Sequence, residues 1–229
     1  PGMMGGYGGG MGMMGGRGYG RAGACGMTGP WDSGYPDDIE TLTMEEALDS
    51  VELYLASWGN DDLEVAELME FSSNFYGLVK EESTGIGAFE VLVDKVTGAV
   101  SPEHGPNMMW NQKYGMMGGY GMGTGMGMMG RGFGYGDMMG GTNGPSAPAA
   151  MSINEAEAID RAQDYLDRMG TGLTAGDEAD AFYGYYTLHV LTGGEISGML
   201  SVNGYSGQVW YHNWHGEFVD MTGHGDELG

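Results

Sequence analysis

The chain has 229 residues, with 32 acidic against 8 basic side chains, one Cys, 48 Gly and 22 Met. A formal net charge of −24 argues against nucleic acid or an anionic membrane as partner, since both are gripped by clustered Lys and Arg. One cysteine excludes an internal disulfide framework, a CxxC redox pair, a Cys-based zinc cluster and c-type haem attachment, and no apolar run approaches the ~18 residues of a spanning helix.

The chain starts at Pro1 without a basic or apolar leader, which reads as a mature or trimmed product. Residues 1–30 form a first Gly/Met-rich segment, GMMGGYGGGMGMMGGRGYG from Gly2 onward, with Pro30 and Pro36 marking its joint to the first body. That body, 31–114, opens with a predicted helix. Leu42, Ala47, Leu48, Val51, Tyr54 and Leu55 fall near helical spacing, Thr41 or Thr43 serves as N-cap, and Gly59 stops the run. Strand-like runs at 70–80, 88–95 and 99–101 come next, separated by turn signals at Ser83-Thr84-Gly85 and Thr97-Gly98. A second Gly/Met-rich segment, 115–150, contains GMMGGYGMGTGMGMMGRGFGYG. The second body, 151–229, repeats the scheme: a helical stripe of Ile153, Ala158, Ile159, Ala162, Tyr165 and Leu166, capped by Ser152 and stopped by Gly170, then runs at 181–191, 196–203 and 208–214.

The order tail, joint, helix, strands is therefore present twice. At a constant offset of 111, Glu46 matches Glu157, Ala47 matches Ala158, Tyr54 matches Tyr165, Leu55 matches Leu166 and Gly59 matches Gly170; His104-Gly105 falls opposite His215-Gly216. The predicted fold class is α+β: two repeated small domains, each one helix on a short antiparallel sheet, joined by irregular Gly/Met-rich segments. Each body is close to the lower size limit for folding alone, so packing of the two bodies together, or into an assembly, is expected to supply the missing burial.

The helix pattern Glu45-Glu46-Ala47-Leu48 with Tyr54-Leu55, followed by 89–100 with the Asp94-Lys95-Val96-Thr97-Gly98 hairpin, resembles the PepSY domain. The second body is similar, through Glu157-Ala158, Tyr165-Leu166, 182–190 and the Asn203-Gly204-Tyr205-Ser206-Gly207 turn. The resemblance covers about two-thirds of the chain and leaves the Gly/Met segments aside. It implies a small α+β fold and a secreted, extracellular or cell-surface location, with roles ranging from propeptide to protease inhibitor. No catalytic residue comes with it.

The residues themselves show no nucleophile elbow, phosphate loop, HExxH or dinucleotide fingerprint, so no enzyme activity is expected. Acid pairs such as Asp37-Asp38, Asp61-Asp62 and Glu81-Glu82 read as a solvated acidic surface, which could also attract Ca²⁺. The methionines carry the more specific chemistry. Met13-Met14 and Met126/Met128-Met129 can bring thioethers to one centre, and His104, His212 and His215 can add imidazole, a donor set suited to copper as Cu(I). The competing reading is packing: Met fills space between glycine backbone and the interleaved Tyr7, Tyr19, Tyr120, Phe133 and Tyr135. Together the residues point to a secreted structural subunit that self-assembles into a homo-oligomer or filament through its Gly/Met-rich segments. The alternative is an envelope binding module, either for Cu(I) or as a PepSY-like protease inhibitor.

Overall fold

The computed structural model describes residues 40–116 and 150–222, in which helices and antiparallel sheets make a mixed α+β fold. The Gly/Met segments, with Tyr7, Tyr19, Tyr120, Phe133 and Tyr135, lie outside the described residues. Helix α1 (Met44–Ala56) begins at a capping box in which the Thr43 side chain accepts from Glu46 N–H and Glu46 answers to the Thr43 backbone. It leads to β1 (Leu63–Phe71), β2 (Phe75–Glu81), β3 (Gly87–Val93), β4 (Val100–Pro102) and the short α2 (Pro106–Trp110). The other half holds α3 (Glu155–Met169), the two-residue strands β5 (Thr174–Ala175) and β6 (Asp180–Ala181), then β7 (Tyr185–Thr192), β8 (Glu195–Asn203), β9 (Val209–Tyr211) and β10 (Phe218–Thr222).

The first sheet runs β10-β1-β2-β3-β4 and the second β5-β7-β8-β9, with β6 paired to β7; every pairing between named strands is antiparallel. Side chains alternate between the faces of each strand, and both faces of the central strands are buried. On the outer face of the first sheet Phe75, Val79, Phe89, Val91 and Val93 pack under Ala47, Val51 and Leu55 of α1. Leu188, Val190, Leu200 and Val202 of the second sheet pack under Ala158, Ala162 and Leu166 of α3. The inner faces meet each other: Met69, Phe71, Tyr76, Leu78 and Leu92 of the first sheet share one core with Phe182, Tyr185 and Met199 of the second. The layers are helix, sheet, sheet, helix, and a set of buried polar groups sits in the middle of them.

Several expected boundaries move. The run 70–80 is not one strand but the end of β1, a turn at 72–74 and β2; the Ser72-Ser73-Asn74 triplet makes the reversal. The acids of β1 are compatible with a strand because Glu67 and Glu70 have partners, His189 Nε2 at 3.3 Å and Lys95 Nζ at 2.6 Å. The run 181–191 is broken by the reversal 182–184 between β6 and β7. Asn154, not Ser152, caps α3, again through a capping box with its N3 residue, Glu157; the Ser152 hydroxyl donates instead to the carbonyls of Gly204 and Tyr205. Gly170 ends that helix in the left-handed region, at φ 66°, as the stop signal required. Of the run 208–214 only β9 is a strand, and β10 was not anticipated: after β9 the chain crosses at 212–217 from the second sheet to the edge of the first.

The halves are also joined at Glu81. Its buried carboxylate accepts from the Tyr183 hydroxyl of the second half at 2.6 Å, from Tyr114 Oη at 2.6 Å and from Lys113 Nζ. Burial alone would raise this carboxyl, but the hydrogen bonds from Lys113, Tyr114, Tyr183 and Thr84 outweigh it and bring the pKa down to about 2. A folded-state pKa below the unfolded ~4.3 gives stability that is present above pH ~4.3 and is lost as the pH falls toward 2. Glu81→Gln should therefore flatten the acid limb of the stability profile, read as urea midpoints between pH 5 and 2. Identical limbs for the two proteins would show that Glu81 carries no such charge-dependent tie.

Candidate metal centre

Between the two sheets lies a buried polar chain. Strand β3 is buried on both faces, and its alternation sends Glu90 inward while Phe89 and Val91 pack beneath α1. The Glu90 carboxyl is hydrogen-bonded to Tyr76 Oη of β2 at 2.6 Å, Tyr185 Oη of β7 at 2.7 Å and Thr187 Oγ1 of β7 at 2.8 Å. Thr187 Oγ1 lies 3.0 Å from Ser201 Oγ of β8, which lies 2.9 Å from His212 Nε2. Glu103, just past β4, is positioned by its backbone N–H on the Glu90 carbonyl at 2.9 Å. Asn107 of α2 accepts from Glu90 N–H and donates to the carbonyls of Glu90 and Glu103.

Glu103, His212 and His215 converge. Glu103 Oε1 is 3.3 Å from His212 Nδ1 and 3.1 Å from His215 Nε2, and one donor atom from each residue lies within 4.8 Å of the others. All three side chains are buried, and Glu103 Oε2, His212 Nδ1 and His215 Nε2 make no hydrogen bond of acceptable geometry. Trp214 Nε1 donates to Glu103 Oε1 at 3.1 Å.

Counting hydrogens fixes the tautomers. Asn74 Nδ2 donates to the Trp214 carbonyl, so Asn74 Oδ1, 2.9 Å from His215 Nδ1, is the acceptor and His215 Nδ1 carries the proton. Thr187 uses its only hydroxyl hydrogen on Glu90. Ser201 must then donate to Thr187, which leaves Ser201 Oγ to accept from His212 Nε2–H. In their neutral forms both rings thus aim a lone pair toward the Glu103 carboxylate. Lone pairs facing a carboxylate in a dry interior repel; a proton or a cation between them removes the repulsion.

The ionisation pattern has the same cause. Burial would raise the Glu103 carboxyl, yet the His212 charge and the two imidazoles hold it well below the usual range. Burial works to lower the His212 imidazole, and the Glu103 carboxylate outweighs it and raises it. The His215 imidazole is lowered by burial despite Glu103. Burial and the Glu103 charge push Glu90 up to about 8, so it is mostly the neutral acid at pH 7. With the proton on Oε2, facing Tyr185 Oη, Tyr185 passes its own hydrogen to Asn107 Oδ1 at 3.3 Å, and Oε1 still accepts from Tyr76 and Thr187.

Of the three histidines singled out from the sequence, two meet here. His104 does not join them: it is exposed, and its ring stacks at a tilt on Trp214, with centroids 4.3 Å apart. Met13, Met14, Met126, Met128 and Met129 lie outside the described residues. The sequence reading missed Glu103, Glu90, Asn74 and Ser201. A glutamate inside the apolar run FEVLV was the one available signal for a buried polar site, and it pointed to Glu90. Compared with known protein families, curated proteins and solved structures, the chain matches none.

Proposed function

We propose that the protein is a metal-binding module with no catalytic role, built from a duplicated PepSY-like unit and acting outside the cytoplasm. The observation that carries this reading is the convergence of Glu103, His212 and His215, one donor atom of each within 4.8 Å of the others, with Glu103 Oε2, His212 Nδ1 and His215 Nε2 buried and making no hydrogen bond. Second-sphere partners hold both rings in the ligating tautomer, Asn74 on His215 and Ser201 on His212, as metal sites require. Duplication is supported by the 111-residue offset, which matches α1 to α3 and sets β2 and β3 against β7 and β8 to within a few residues. The PepSY-like pattern supports the extracytoplasmic setting.

The test is elemental analysis of the full chain after equilibration with a mixture of Zn²⁺, Ni²⁺, Cu²⁺ and Ca²⁺ and extensive dialysis. About one equivalent of one ion should remain, and the His212→Gln/His215→Gln double variant should lose it. Retention no higher than in that variant would reject the reading.

Self-assembly through the Gly/Met segments is a second proposal, resting on composition: residues 1–30 and 115–145 hold 28 of the 48 Gly and 14 of the 22 Met but one acid, Asp137. Deletion of 1–30 should abolish filaments seen by negative-stain microscopy while leaving the circular dichroism of the folded part intact. Unchanged polymer would remove the segment from that role. Met126→Leu/Met128→Leu/Met129→Leu separates thioether ligation from packing, since Leu keeps the volume and removes sulfur. Loss of Cu(I) against a competing chelator supports ligation there, and an unchanged Cu(I) content supports packing.

A further inference from the structure

We infer that the ion taken by Glu103, His212 and His215 is a borderline divalent cation, Zn²⁺ foremost, held in a closed coordination that pins the crossover from β9 to β10 and so keeps β10 seated on the first sheet. This rests on the metal-binding reading and adds the class of ion and what it controls.

The ion class is set by the donors. Two neutral imidazole nitrogens and one carboxylate suit Zn²⁺ and its neighbours, whereas Cu(I) prefers sulfur and Ca²⁺ takes six to eight oxygens. A four-coordinate ion with bonds of 2.0–2.1 Å sets its donors ~3.3 Å apart. The two nitrogens stand 3.3 and 3.1 Å from Glu103 Oε1. A chelating carboxylate would add Glu103 Oε2, which is buried and makes no hydrogen bond, as the fourth donor, with a bite shorter than the spacing of the other donors. Such a site needs no solvent ligand, in keeping with the burial of all three side chains.

What the ion would hold is set by the chain path. Glu103 belongs to the first half. His212 and His215 lie in the segment that leaves β9 in the second sheet and delivers β10 to β1 in the first. The rest of the attachment is modest. The β1–β2 turn clasps the crossover through Ser72 N–H on the Glu217 carbonyl at 2.7 Å, Ser73 N–H on the His215 carbonyl at 3.1 Å and Glu217 N–H on Ser72 Oγ at 3.0 Å. Beyond it β10 pairs, among the described residues, only with the second half of β1, Leu68 to Phe71; Phe218 and Met221 pack against the shared core, yet every β10 side chain is at least partly exposed. Without an ion, only a proton on His212 can separate its ring from the Glu103 carboxylate, and the His215 lone pair still faces it; an ion would bond to both nitrogens and the carboxylate together.

The experiment is hydrogen–deuterium exchange by mass spectrometry on the full chain, stripped with a chelator and then reloaded with Zn²⁺, Cu(I) or Ca²⁺, with Glu103→Gln in parallel. Expected is about a tenfold slowing by Zn²⁺ in peptides covering 209–222 and 63–71, with a smaller change over β7 and β8, and no such slowing from Cu(I) or Ca²⁺ or in Glu103→Gln. Any ligand of the folded state raises its global stability, so the regional contrast is the decisive reading. Zn²⁺ bound at one equivalent with uniform or no protection would overturn the pinning while leaving metal binding in place. Equal protection by Ca²⁺ or Cu(I) would overturn the ion class. Protection in Glu103→Gln equal to the parent's, or no ion bound by either, would remove the metal-binding reading itself.

Discussion

Phe182→Ala is expected to destabilise the protein by about 3–5 kcal/mol, the range for removing a fully buried aromatic ring from a core. The ring is buried, stacks on Tyr185 with centroids 4.7 Å apart and planes 10° from parallel, and fills the space over Gly87 of the first sheet. A Cβ on Gly87 would come within 2.5 Å of that ring, so Gly87 cannot take a side chain while the ring is in place. The backbones of Gly87 and Phe182 also form a bridge between the two sheets. Because the residue serves the core shared by both halves, the loss should appear in one cooperative transition with an unchanged urea m-value, followed by far-UV circular dichroism and tryptophan fluorescence together. Two separated transitions, with only one of them shifted, would mean that the halves are stable apart and that the inner core contributes little.

That shared core marks the boundary of what the sequence discloses. Local signals sufficed for α1, where Thr43 and Glu46 form the capping box, and for β3 and β8, where the apolar run is bounded by Gly-containing turns. The runs expected at 70–80 and 181–191 contain β2 and β7 but merge them with the reversals before them, and most of β1, from Leu63, was not expected. The cap of α3 was misplaced by two residues because Ser152 and Asn154 are both good caps and each has a glutamate three residues on, Glu155 and Glu157; contacts of Ser152 with the distant Gly204 and Tyr205 carbonyls leave the box to Asn154. β10 left no trace: five half-exposed residues after His215-Gly216-Glu217 acquire a strand conformation from β1, some 150 positions earlier in the chain. The site behaved likewise. His212 and His215 stood out by density, but Glu103 is one acid among 32, and nothing local distinguishes it from the solvated ones. What sets it apart is burial between sheets whose packing is long-range. His104 looked equivalent to His215 by the repeat, yet the chain turns differently after each: Gly105 leads into α2 and Gly216 into β10.

Glu90→Leu tests the polar chain from its far end, and its expected cost is about 3–5 kcal/mol. The substitution leaves the hydroxyls of Tyr76, Tyr185 and Thr187 without their shared partner in a buried layer, and each orphaned group carries a penalty of ~1–3 kcal/mol before relaxation. Glu90→Gln should cost far less, about 1 kcal/mol, because its amide oxygen still serves Tyr76 and Thr187, its volume is the same, and the native acid is itself neutral at pH 7. A Leu variant within about 1 kcal/mol of the parent by urea denaturation would show that the hydroxyls find other partners and that Glu90 does not organise the layer. The two variants should also part at His212, which neither touches. With Gln at 90 the hydrogen-bond order from Thr187 through Ser201 is kept, so His212 stays protonated at Nε2 with Nδ1 free for an ion. With Leu, Thr187 no longer has to donate forward; the chain can reverse and Ser201 can donate to Nε2, which moves the ring proton to Nδ1 and blocks the ligating lone pair. At a pH where His212 is neutral, imidazole ¹⁵N shifts should therefore report Nε2–H for the parent and for Glu90→Gln, and a shift toward Nδ1–H for Glu90→Leu, accompanied by weaker Zn²⁺ retention. An unchanged tautomer in the Leu variant would uncouple Glu90 from the metal ligands and confine its role to packing the two sheets together.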